Sequence, residues 1–234
     1  RVINLIITIN KYLRYLTITD KLMIKNNEKL NNYINKSIEQ FDLISDERKR
    51  ILKKLSNEIK NSILKKSIVN LTFICTHNSR RSHLSQLWAQ TAACFYKIDN
   101  INCFSGGTEI TAFDVRAVSA IKRAGFDVIK TENTKNPRYL IHHLSKKASE
   151  HYSKIFNEGP NPQKSFIAIM TCGEADKKCP VTFGYSKKFI IKYNDPKNFD
   201  GTEKEANAYD DVNRMISREQ LFVFYNVNKQ NLHL

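Results

Sequence analysis

The segment Cys75-Thr76-His77-Asn78-Ser79-Arg80-Arg81-Ser82 places a thiol and a guanidinium six positions apart. An apolar run, Ile68-Val69-Asn70-Leu71-Thr72-Phe73-Ile74, precedes it and reads as a strand, and a helical pattern begins at Ser82. A strand, a tight loop and a helix N-terminus in that order aim backbone N–H groups into one concavity. With the helix dipole behind it, such a cradle binds a tetrahedral oxyanion. A free cysteine titrates at about 8.5, and at a helix N-terminus beside a cation the value can fall to roughly 3.5–7.5. The loop is therefore expected to make Cys75 its own nucleophile. Arg81 suits bidentate capture of two anion oxygens, and Ser82 can hydrogen-bond the thiolate. Thr76, His77, Asn78, Ser79, Arg80 and Arg81 are the expected oxyanion-binding positions, with Arg80 adding positive charge.

A second set lies downstream. Cys172 and Cys179 flank a charged segment, Gly173-Glu174-Ala175-Asp176-Lys177-Lys178, and Pro180 follows. A zinc site would need two more ligands at close spacing, and Cys94 and Cys103 are badly placed for that. Two buried cysteines are one reading. The other is a thiol relay, in which the segment folds to bring the two sulfurs together for disulfide exchange. Asp195, before Pro196, can protonate a leaving oxygen or accept a thiol proton if it shares the site. His142 and His143 are adjacent on a strand and face opposite sides, so joint metal ligation is not expected.

These groups need a scaffold to bring them together. From residue 67 onward strands and helices alternate, which predicts an α/β domain with an open, mostly parallel sheet flanked by helices. Strands are expected at 68–74, Asn102–Phe104, Phe126–Ile129, Phe166–Met170 and Phe189–Ile191. Helices are expected from Ser82 to about Lys97, from Phe113 to Ala124 with Gly125 as C-cap, and after a capping box at Thr202-Glu203-Lys204-Glu205. Ser105-Gly106-Gly107-Thr108-Glu109 reads as a glycine turn where backbone approaches something closely. Residues 131–163 read as a β-hairpin insertion. Open α/β sheets bind ligands outside the carboxyl ends of their strands, and Cys75, the Gly106-Gly107 turn, Cys172 and Asp195 all map to that edge.

Ahead of this domain, residues 23–66 read as an α-helical hairpin whose second helix opens after Ser45 as N-cap. The organisation expected is residues 1–22 as upstream or non-native sequence, 23–66 as the hairpin and 67–234 as the catalytic domain. The chain has 234 residues and a net charge of +15. Fifteen Lys and Arg against seven Asp and Glu lie in residues 1–66. They alternate with Asn and Glu, without aromatic interleaving, so a solvated basic face is expected and not a nucleic-acid surface. No stretch approaches the ~20 apolar residues of a membrane span. Five cysteines without an export signal point to a reducing, cytoplasmic setting and chemical thiols.

The stretch from about 68 to 228 resembles the thioredoxin-coupled arsenate reductases, which share the fold of the low-molecular-weight protein tyrosine phosphatases. The likeness rests on Cys75-Thr76-x-Asn78-Ser79-x-Arg81-Ser82, Ser105-x-Gly107-Thr108-Glu109, Thr171-Cys172-Gly173 through Cys179-Pro180-Val181-Thr182, Asn194-Asp195-Pro196 and Gly201-Thr202-Glu203. It implies that Cys75 attacks arsenate, that Cys172 and Cys179 carry the electrons away as a disulfide, and that thioredoxin reduces that disulfide. It further implies Arg81 on the oxyanion, Asp195 as proton donor or acceptor, and no cofactor. The chain departs from the family at His77, where glycine is usual and strain is expected if φ is positive. It departs again at Arg80, where a further cysteine is common. Two other functions stay open: a phosphatase working through a phosphocysteine at Cys75, and a non-catalytic oxyanion or phosphopeptide binder.

Overall fold

The computed structural model describes residues 18–65, 67–144, 148–173 and 184–229, with side chains from residue 27 onward. The chain opens with α1 (Ile18–Ile38), a short 3₁₀ turn (Phe41–Leu43) and α2 (Asp46–Leu64). Ser45 caps α2 by accepting from the Arg48 N–H at 3.3 Å, and Asp46 and Glu47 fill the first turn. Then come β1 (Val69–Cys75), α3 (Arg81–Phe95), β2 (Ile101–Gly107), α4 (Val115–Ala124), β3 (Asp127–Lys130), β4 (Tyr139–His142), β5 (Ser149–His151), β6 (Phe166–Met170), β7 (Tyr185–Ile190) and α5 (Glu205–Lys229).

The main sheet is parallel throughout, in the order β2-β1-β6-β7. β1 and β6 lie inside it and are buried along almost their whole length, which is why both read as unbroken apolar runs. β7 is an edge strand, and Lys187 on it is exposed, which discourages further strand pairing. The expected fifth strand is thus longer and begins earlier than Phe189.

Three sequence expectations need correction. The 126–129 segment does form a strand, but β3 joins β4 and β5 in a separate antiparallel three-stranded sheet. Its Ile129 faces solvent, so a four-residue strand carried too little pattern to choose a sheet. Gly106 and Gly107 are not a turn: they close β2, paired with Ile74 and Cys75. Their lack of a side chain serves close packing, because a Cβ on Gly106 would overlap the Phe156 backbone. The capping box at 202–205 is displaced by one residue. Thr202 Oγ1 accepts from Lys204 N at 3.3 Å, and the Glu205 carboxylate accepts from Gly201 N at 2.7 Å.

The helical hairpin has no core of its own. Leu30, Ile34, Leu52, Leu55 and Ile59 join one cluster with Leu71, Trp88, Ile121 and Ile216 of the α/β body. α5 is the shared wall, packed on α1, α2, α3 and α4. Trp88 stacks on Tyr33 of α1 at 5.2 Å and donates its indole N–H to Asn213 Oδ1 of α5 at 2.7 Å.

Candidate active site

β1 ends on Cys75, and α3 starts at Arg81 with no acidic residue in its first turn and no side chain capping it. Between them the backbone amides from Thr76 to Ser82 donate no hydrogen bond to any group among the described residues. The loop thus holds a set of uncommitted donors at a helix N-terminus, the arrangement an oxyanion needs. Cys75 is a buried free thiol at the base of the loop, its Sγ 3.1 Å from Ser82 Oγ. Asn78 Nδ2 donates to the same hydroxyl at 2.9 Å, which leaves the Ser82 proton for the sulfur.

The left-handed residue of the loop is Asn78, at φ 43, whereas His77 is not among the positive-φ residues. The strain expected at His77 therefore falls one position later, on a residue type that tolerates it better than most. The His77 side chain is instead part-exposed, with Nε2 3.4 Å from Glu109 Oε2.

Outer elements hold the loop in shape. Thr76 O accepts from Thr108 N and Glu109 N at 2.8 and 2.9 Å. His77 O accepts from Ser153 Oγ at 2.8 Å, and Asn78 Oδ1 accepts from Lys154 N at 3.0 Å. Gly107 lies tight beneath: a Cβ there would sit 2.6 Å from Thr76 O and 2.7 Å from Asn78 N. Residues 152–156 are the far end of the expected hairpin insertion, so the insertion buttresses the loop. Sequence reasoning missed Ser153 and Lys154, since neither belongs to a motif and both act through backbone or through one hydroxyl.

His83 is buried in the first turn of α3, stacked on Phe113 at 4.1 Å. Its Nδ1 is 3.2 Å from Ser105 Oγ and 3.5 Å from His151 Nδ1. Burial, and then the nearby Lys154, push both His83 and His151 well below the usual imidazole range. Burial likewise lowers Lys154 to about 8.

Arg81 donates from Nη1 to Tyr193 O at 2.9 Å and from Nη2 to Asp195 Oδ2 at 2.5 Å. Asp195 also caps the 3₁₀ turn Pro196–Phe199 through Lys197 N at 3.1 Å. Arg80, expected to face an oxyanion, is turned aside: its Nη1 lies 3.2 Å from Asp114 Oδ2 and its Nε 2.9 Å from Asp195 Oδ1. That Nε contact is an ion pair whose angle is too poor for a hydrogen bond. A cleft of about 390 Å³ opens beside the loop, lined by His77, Arg80, Phe113, Asp114 and Lys197 among others.

Cys172 follows the end of β6 and is buried, 3.5 Å from Thr76 Oγ1 through its sulfur. It shares one small apolar cluster with Cys75, Ile74, Phe166, Ala168 and Met170. Cys75, Gly107, Cys172 and Asp195 thus meet at one edge of the parallel sheet. Cys179 lies outside the described residues.

No protein-family profile matches this chain. Among curated proteins, an arsenate reductase of Bacillus licheniformis is 26% identical over 151 residues, spanning 62% of this chain and 91% of the relative. An arsenate reductase of Bacillus subtilis is 29% identical over 137 residues, spanning 58% and 81%. Among solved structures, a YwlE mutant from Bacillus subtilis has 15% identity and a TM-score of 0.47, covering 70% of this chain and 99% of that one. A low-molecular-weight protein tyrosine phosphatase from Bacillus subtilis has 13% identity and a TM-score of 0.45, covering 70% and 99%. Over more than half its length the chain is thus similar in sequence to bacterial arsenate reductases, on an α/β body built around a parallel sheet.

Proposed function

We propose that this chain is an arsenate reductase working by a three-thiol relay. The observation that carries the reading is the placement of Cys75 and Cys172 in one apolar cluster beneath a loop of uncommitted amides. Sequence similarity to the two Bacillus arsenate reductases supports it. In this reading the Cys75 thiolate attacks arsenic, and one arsenate oxygen leaves as water after taking up protons, with Asp195 as the donor. Arg81 and the loop amides hold the remaining oxygens. The Cys172 thiolate then attacks the Cys75 sulfur. The electron pair of the S–As bond passes to arsenic, so As(V) leaves as As(III), and a Cys75–Cys172 disulfide remains. Cys179 attacks the Cys172 sulfur, frees the Cys75 thiolate and forms Cys172–Cys179. A thioredoxin-type dithiol reduces that bond and closes the cycle.

The cleft beside the loop favours a second reading, since about 390 Å³ exceeds what an inorganic anion fills. There the chain is a phosphatase: Cys75 takes a phosphoryl group, Asp195 protonates the leaving alcohol, and water releases phosphate. One variant separates the two. Cys172→Ser is expected to abolish dithiol-dependent arsenate turnover and to spare hydrolysis of an aryl phosphate. Arsenate turnover that survives this change would rule out the relay.

A further inference from the structure

We infer that Arg80 is a positioning residue that keeps Asp195 docked on the anion loop while Arg81 exchanges that carboxylate for substrate. The inference rests on the reading above, in which Asp195 handles protons.

Its position in the loop makes Arg80 look like an oxyanion ligand, yet its guanidinium is committed to two carboxylates. The side chain is 10% exposed, with Nη1 3.2 Å from Asp114 and Nε 2.9 Å from Asp195. Asp114 is a fixed anchor. It caps α4 through Arg116 N at 2.9 Å, and its own N–H donates to Ser79 O at 2.9 Å. One end of the bridge is thus tied to the loop itself. The other end is Asp195, held by two neighbouring arginines: Arg80 lies with Nε 2.9 Å from Oδ1 and Nη2 3.5 Å from Oδ2, and Arg81 donates to Oδ2. An oxyanion seated on the loop amides claims the fork of Arg81. The Arg81 contact is then given up, while the Arg80 contacts to both carboxylate oxygens survive. The carboxylate stays beside the reacting centre for the proton step.

The test uses the full chain, inorganic phosphate as the anion probe, and whichever of arsenate or an aryl phosphate the wild type consumes. Arg80→Met and Arg80→Lys are compared in the wild-type and Asp195→Asn backgrounds. Arg80→Met is expected to bind phosphate within about threefold of wild type while kcat falls by about tenfold or more at unchanged KM, part of the ~10²–10⁴ that acid–base catalysis supplies. Arg80→Lys should keep an intermediate kcat, and it carries the test if the methionine variant does not fold. In the Asp195→Asn background, Arg80→Met should cost little further, as coupled groups do. A tenfold loss of phosphate affinity at unchanged kcat would make Arg80 an anion ligand and overturn the inference. So would fully additive losses in the double variant. A loss in Asp195→Asn without one in either Arg80 variant removes the inference alone. Wild-type turnover in Asp195→Asn removes the acid role of Asp195, and this inference with it.

Discussion

At the residue scale, Asn78 does more than its motif position discloses. Its amide joins the Ser82 hydroxyl to the Lys154 backbone, its side chain is fully buried, and its φ is positive. Alanine would leave the Lys154 N–H and the Ser82 hydroxyl short of a partner and would sit badly in the left-handed region. Asn78→Ala should therefore lower stability by about 2–4 kcal/mol, from unmade buried hydrogen bonds and left-handed strain together. Urea unfolding measures this, and Cys75 alkylation rates would show the accompanying loss of loop order. The motifs made the placement of Cys75, Ser82, Arg81 and Asp195 legible, because strand ends and a helix N-terminus follow from local pattern. They did not show which way Arg80 points. That direction is set by Asp114, thirty-four residues along the chain, which no local pattern connects to the loop.

At the element scale, the insertion and β2 close on each other around two glycines. Gly106→Ala puts a methyl group into the Phe156 backbone, and main chain cannot step aside as a flexible side chain can. We expect a loss of about 3 kcal/mol or more, at the upper end for overpacking, seen as a lower unfolding midpoint. The small sheet also brings a pH dependence. His83 and His151 are held neutral by burial, and His143 is lowered to about 4 by burial and then by His142. The unfolded chain takes up protons at these sites as pH falls through the ordinary value of 6.5, while the folded chain does not. Stability should thus be full above that pH and should fall steadily as the solution is acidified toward 5. Lys154 acts in the same sense at higher pH, since its folded value of about 8 lies below the ordinary 10.5. Urea midpoints between pH 7.5 and 5 check the slope, and His83→Gln with His151→Gln should flatten it. The hairpin itself was legible from Pro137 and the alternation of Tyr139, Ile141 and His143. Its docking on the anion loop was not, because each of those contacts has a backbone atom, which every residue carries, on one side.

At the scale of the whole molecule, the helical hairpin and the α/β body share one hydrophobic core and are expected to unfold as one cooperative unit. Arg48 of α2 pairs with Glu219 of α5 through two contacts of 2.9 Å and donates to Lys192 O at 3.0 Å. Its guanidinium also lies 5.0 Å from the ring centre of Tyr193, whose carbonyl holds Arg81. Removing the arginine strands a Glu219 carboxylate whose side chain is 5% exposed, so Arg48→Met should cost about 3–5 kcal/mol. The chain has one tryptophan, Trp88, stacked against Tyr33 of the hairpin. Its fluorescence and the far-ultraviolet circular dichroism should trace a single transition; two separated transitions would show that the hairpin folds apart. The helices were legible from apolar spacing and the Ser45 cap, and the parallel sheet from its buried strands. The shared core was not, since an apolar helix face does not name the surface that covers it.

The thiol relay is tested most directly by mapping disulfides after one turnover. Protein reduced and freed of reductant is mixed with arsenate, quenched with an alkylating agent and digested for mass spectrometry. The wild type should yield a Cys172–Cys179 link, and Cys179→Ser should instead accumulate Cys75–Cys172. Sulfurs that all remain reduced, in a protein that is phosphorylated on Cys75 by an aryl phosphate, would contradict the relay and identify a phosphatase.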